Sequence, residues 1–139
     1  MENMKTETSF EIAIEEIAKE NFQAWNDALQ TKDAKKVTEL YSADATFLPT
    51  LSGDFKFGQD QAEGYFEHFL LKNPFGRIVQ EKVQPIGENS YLHSGLYNFE
   101  VDKQGGGKEI VQARFTYLWG KDKDGNWKIH HHHSSVKPA

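Results

Sequence analysis

The chain has 139 residues, with 16 Lys and Arg against 21 Asp and Glu, for a formal net charge of −5. That length fits one domain, and the lack of any basic patch argues against nucleic acid as a partner. There is no cysteine, which excludes a disulfide framework, a thiolate nucleophile and a cysteine zinc site.

Residues 1–9 are mostly polar and are expected to form a flexible N-terminus. They lack the apolar core of a signal peptide, and no stretch approaches the roughly 18 apolar residues of a membrane span. A cytoplasmic protein with no membrane partner is expected. From residue 10 to 29 apolar residues recur at helical spacing, with Ile14, Ile17, Ala18, Trp25, Ala28 and Leu29 on one stripe and Glu11, Glu15, Glu16, Lys19 and Glu20 elsewhere. This predicts a long amphipathic helix with one face to bury. Asp33 is placed to cap a short second helix whose inner face carries Val37, Leu40 and Tyr41. Residues 45–48 read as a short strand ended by Pro49, and residues 55–57 as another. Residues 59–72 predict a third helix, with Ala62, Tyr65, Phe66, Phe69 and Leu70 on its stripe and Pro74 just beyond it.

The period then changes to two. Strands are expected over 77–83, 91–101, 108–119 and 127–134, with a glycine-rich hairpin at 102–107 and a second hairpin at 121–126 built on Asp124-Gly125. A run of antiparallel strands has one face to cover, and the single-striped helices are the available cover. The fold class is therefore α+β: a curved antiparallel sheet wrapped around helices, in a single domain over residues 10–139. Ten Phe, five Tyr and three Trp supply large rings for its interior.

Five segments occur in an order that carries a resemblance: Ala45-Thr46-Phe47-Leu48-Pro49-Thr50, Tyr65-Phe66-Glu67-His68-Phe69-Leu70, Ser94-Gly95-Leu96-Tyr97-Asn98-Phe99, Ala113-Arg114-Phe115-Thr116, and the stretch from Trp127 through the four histidines to Ser135. Together they resemble the association domain of calcium/calmodulin-dependent protein kinase II and its stand-alone bacterial relatives, within the nuclear transport factor 2-like or SnoaL-like superfamily. The resemblance spans roughly residues 10–138. It implies a cone-shaped fold and self-assembly, since relatives pair through their sheets. The chain carries no kinase domain, so neither kinase activity nor calmodulin binding is carried over from the resemblance. Where kinase hubs carry an Arg after the His-rich strand, this chain has Ser134.

His130 to His133 continue the last strand without a break, so they are read as native rather than as a tag. Strict alternation places His131, His133 and Ser135 on the face of Trp127 and Ile129, which the two apolar residues mark as interior. It places His130, His132 and Ser134 outside. Alternation also groups Arg114 with Thr116 and Leu118, against Phe115, Tyr117 and Trp119. A guanidinium suits bidentate capture of a carboxylate, and histidine titrates near neutrality. The candidate ligand-binding set is therefore Arg114, His131, His133, Tyr97 and Thr116, around a cavity for a small carboxylate. The alternative is that Arg114 points outward and the histidines are structural. Two His at i, i+2 supply only part of a metal site, so no metal and no cofactor are expected. Two functions stay open: a homo-oligomerising, ligand-binding domain, or a small enzyme (an isomerase, hydratase, cyclase or oxidoreductase accessory) moving a proton with a cavity histidine. Asp44 is the nearest acidic candidate for such an enzyme.

Overall fold

The structure, a computed structural model, describes residues 2–139, with side chains from residue 13 onward. Helix α1 spans Glu2–Gln30, so it reaches back across the segment expected to fray. The face assigned to Glu11 lies outside the described side chains. Its buried residues Ile14, Ala18, Phe22, Trp25 and Leu29 recur every three or four positions, the spacing of one helix face. Asp33 caps α2 (Ala34–Thr38) as expected, its carboxylate accepting from the Lys35 amide at 3.0 Å. Strands β1 (Tyr41–Leu48) and β2 (Lys56–Phe57) follow, then α3 (Gly58–Phe69), closed by a 3₁₀ turn over Leu70–Lys72. Strands β3 (Phe75–Gly87), β4 (Ser90–Asp102), β5 (Lys108–Lys121) and β6 (Trp127–Val136) complete the chain.

The six strands form one sheet in the order β2-β1-β6-β5-β4-β3. Pairing is antiparallel except between β1 and β6, which run parallel. Between β1 and β6 the chain runs through β2, α3, the 3₁₀ turn and β3 to β5, ample length for a parallel return. The inner face carries Tyr91, His93, Tyr97, Phe99 and Val101 from β4, Ala113, Phe115, Tyr117 and Trp119 from β5, and Phe47 from β1, all buried. Trp25 packs against these rings, stacked on Tyr97 and edge-on to Tyr117 and Phe66. Asn26, also buried, clamps α1 to β3: its side-chain oxygen accepts from the Gly76 amide at 2.8 Å and its amide donates to the Gly76 carbonyl at 3.1 Å. A side chain on Gly76 would press on Asn26 and Phe99 at 3.2 Å, so glycine is what lets this strand meet the helix.

Register shifts bend the sheet at several points, β3 and β6 among them. In β3, pairing passes from Ile78↔Tyr97 to Gln80↔Leu96, leaving Val79 as the extra residue, and Gly95 follows opposite Glu81. A Cβ on Gly95 would sit 1.9 Å from the Gln80 carbonyl oxygen, a backbone contact that no rotamer relieves. In β6, pairing passes from Trp119↔Ile129 to Leu118↔His131, leaving His130 as the extra residue. The His130 ring lies over Gly120, where a Cβ would be 3.0 Å away. No helix among the described residues is long and apolar enough to cross a membrane.

Candidate functional site

The bulge at His130 reverses the expected alternation. Trp127 and Ile129 do face inward, but beyond the bulge His132 and Ser134 become the inward residues, both buried. His131 and His133 turn to the outer face, a correction to the strict period-two reading. Arg114 is exposed on that same outer face, because Phe115, Tyr117 and Trp119 are the set that α1 covers, and a guanidinium there would be buried without a partner. Thr116 goes outward with it. The expected neighbours do stay together, with cross-strand pairs Arg114↔Ser135, Thr116↔His133 and Leu118↔His131. They share a surface, and the interior pocket predicted from them is not formed. Arg114 donates to Ser135 Oγ at 3.3 Å, and His131 Nδ1 lies 2.7 Å from Thr46 Oγ1. Of the candidate set, Tyr97 alone is interior, fully buried beside Phe99 as its alternation implied. Asp44 is exposed and accepts from Ser42 Oγ at 3.2 Å.

What occupies the interior is a chain of hydrogen bonds centred on His132. Trp25 Nε1 donates to Tyr41 Oη at 3.1 Å. Tyr41 Oη also meets His132 Nδ1, 2.8 Å away. The Tyr97 hydroxyl gives its own proton onward, so His132 Nε2 carries the ring proton and donates to Tyr97 Oη at 3.1 Å, which leaves Nδ1 to accept from Tyr41. Tyr97 in turn donates to Ser134 Oγ at 2.5 Å, and Ser134 meets Thr50 Oγ1 in a short contact. The relay thus runs from the middle of α1, across β1, β6 and β4, to the loop after β1. The His132 ring is also stacked on Tyr117 and Phe47, at centroid distances of 4.1 and 4.9 Å. Burial, then the neighbouring histidines, push its pKa well below the ordinary value. Burial likewise raises Tyr41, Tyr97 and Tyr117 above the usual phenol range. Every member is therefore neutral at physiological pH. No apolar residue between Ile129 and Val136 marks the face, so the sequence carried no signal for His132.

A second buried histidine was also missed. His93 is fully buried and neither ring nitrogen has a hydrogen-bond partner among the described residues. The ring stands edge-on to Phe115 at 5.2 Å. Its Nε2 is 3.8 Å from the Glu81 carboxylate, too far for a hydrogen bond, and burial holds its pKa down at about 4.

Two concavities lie outside this core. A groove of about 490 Å³ runs between α1 and β3, past Phe22, Asn26, Arg77 and Glu81. A cleft of about 460 Å³ opens between α3 and the loop after β1, with Leu51, Tyr65 and Phe69 among its apolar lining and Lys56, His68 and Lys72 around it.

Against known proteins, the profile of the calcium/calmodulin dependent protein kinase II association domain matches residues 14–138. The chain belongs to that family. A solved protein from Xanthomonas campestris described as such an association domain is 41% identical, over 84% of this chain and 83% of its own, with a TM-score of 0.82. The association domain of the C. elegans kinase superposes with a TM-score of 0.74 at 21% identity, over 91% and 98% of the two chains. A Novosphingobium aromaticivorans protein described as a scytalone dehydratase reaches 0.81 at 10% identity, over 94% and 89%. The latter two likenesses establish the fold alone, which is nuclear transport factor 2-like, as in a Salmonella enterica protein of that superfamily. No curated protein matches the chain. Within this association-domain fold the helices lie on one side of the sheet, and among the described residues no helix covers the outer face of β3–β6.

Proposed function

We propose that this association domain is a self-assembly module whose copies pair through the outer face of the sheet. The observation that carries the reading is that uncovered face. All the helical cover lies on the other side. The outer face presents Leu92, Leu96 and Leu118 in its middle, framed by Ser94, Asn98, Thr116, His131 and Ser135, and each of these is half-buried within the single chain. Leu92 pairs directly with Leu118, and Leu96 with Arg114. Apolar centres with polar rims are the composition of protein interfaces, and a sheet face of this kind can supply the roughly 800 Å² per partner that a stable dimer needs. A two-fold pairing is self-complementary, so one patch suffices.

Proton-transfer chemistry in the interior is the weaker reading. Both nitrogens of His132 are engaged, its faces are stacked, and Asp44 is on the surface. A substrate has no edge of that ring to approach. A match to the association-domain family, and to a 41% identical association-domain protein, favours assembly further.

The test is mass in solution. Light scattering at micromolar concentration should give at least twice the 15.9 kDa of one chain. Leu92→Glu, which puts a carboxylate between the uncharged cross-strand neighbours Leu118 and Gln84, should return a folded monomer, because desolvating an unpaired charge outweighs the rest of such a patch. A wild-type monomer would refute the proposal.

A further inference from the structure

We infer that the cleft between α3 and the loop after β1 is a binding site for a small organic anion with a flat apolar body. The inference does not depend on how copies assemble. Three features carry it. The first is the lining: Leu51, Tyr65 and Phe69 give an apolar surface with two rings, and Lys56, Lys72 and His68 surround it. Among the described residues Lys56 has one ion-pair partner, Asp54, whose oxygen is 3.6 Å from Lys56 Nζ. Asp54 is 75% exposed while Lys56 is 25% exposed. The cation is thus partly withdrawn from water and the anion opposite it is not, so a bound anion can replace Asp54 at little cost. His68 Nδ1 lies 3.0 Å from the Gly64 carbonyl. As a carbonyl can only accept, Nδ1 must donate there, leaving Nε2 for a ligand.

The second feature is Gly64. It sits in the interior of α3, where glycine is less favourable than alanine. Neither usual reason for it applies. Its φ is not positive, and a Cβ there would meet no heavy atom within 4 Å. What a side chain at Gly64 would enter is the cleft, whose wall it forms.

The third is how the loop is held. Tyr65 meets the Leu51 backbone, and Thr50 ends the hydrogen-bond relay from His132. The cleft's outer wall is therefore tied to the core rather than free to fall in, the preformed condition expected of a ligand site. A volume of about 460 Å³ lies in the range of small-molecule pockets. The cationic surround selects a negative charge and the rings select a flat apolar partner.

The experiment is isothermal titration of the full chain with three probes. Phenylacetate has ring and charge, benzyl alcohol has the ring alone, and acetate has the charge alone. Phenylacetate should bind saturably at millimolar or tighter affinity, with each of the other two at least roughly tenfold weaker. Gly64→Leu should abolish phenylacetate binding without lowering the melting temperature, and Gly64→Ala should raise that temperature. Lys56→Gln with Lys72→Gln should weaken binding at least about fivefold, since an unpaired ligand charge loses both partners. No saturation by phenylacetate, equal affinity for the alcohol, or undiminished binding in a folded Gly64→Leu variant would each overturn the site.

Discussion

Lowering the pH from 7.5 to 4.5 should cost this fold much of its stability, and the two buried histidines set the size of the loss. His132 and His93 are both neutral in the folded chain, with pKa values pushed well below the usual value and to about 4. In the unfolded chain both regain an ordinary pKa near 6.5. The unfolded state therefore binds more protons than the folded state below that value, so stability falls as pH falls. The loss begins near the unfolded pKa of about 6.5 and for His93 ends near 4. Each such group removes about 1.4 kcal/mol per pH unit inside its window. For His93 the two units from 6.5 to 4.5 come to about 2.5 kcal/mol, a large part of the stability of a small domain, and His132 adds a loss of the same sign. Glu81, partly exposed and 3.8 Å from His93, offsets only a small part. The assay is urea denaturation followed by tryptophan fluorescence, at one protein concentration because assembly adds to apparent stability. His93→Leu should lower the slope and leave the part that His132 contributes. At pH 7.5 the same variant should be neutral or slightly stabilising, since it removes two buried nitrogens that have no partner. A stability that stays flat between pH 7.5 and 5, or a His93→Leu variant with the wild-type slope, would refute the reasoning.

Other outcomes follow from the same coordinates. Gly95→Ala should cost about 3 kcal/mol or more, measured by thermal melting, because its Cβ would collide with the Gln80 carbonyl at the β3 bulge. Tyr41→Phe should cost about 2 kcal/mol in urea denaturation: it leaves the Trp25 N–H and His132 Nδ1 without partners. Arg114→Ala should change the stability of one chain by no more than about 0.5 kcal/mol, as an exposed residue with one long hydrogen bond. A large loss there would mean that the guanidinium is not simply surface. Calcium should induce no binding to calmodulin in titration calorimetry, since the described polar face of α1 is acidic, with Glu15, Glu16 and Glu20.

Much of the fold was legible in the chain, and the reasons are local. Helical spacing in residues 14–29 marked the buried stripe of α1, Asp33 announced a cap, and Asp124-Gly125 placed the last hairpin, because each signal lies within a few neighbouring residues. The pairing of β5 with β6 was also correct, so Arg114, Thr116, His131 and His133 do gather on one surface. Which surface was beyond local reading. Period-two alternation carries a face assignment along a strand only until a residue is inserted, and one extra residue reverses everything after it. The insertion at His130 shows only in the pairing with β5, where Ile129 meets Trp119 and His131 meets Leu118. The histidine run has no apolar residue to reset the count. In β5 the signal was present: Phe115, Tyr117 and Trp119 were the rings that α1 had to cover, and their burial sends Arg114 to the outside. The His132 relay joins α1, three strands and a loop, and the cleft joins α3 to that loop. Neither leaves a periodic pattern in sequence, because the residues that meet there come from separate elements and only the folded chain brings them into contact.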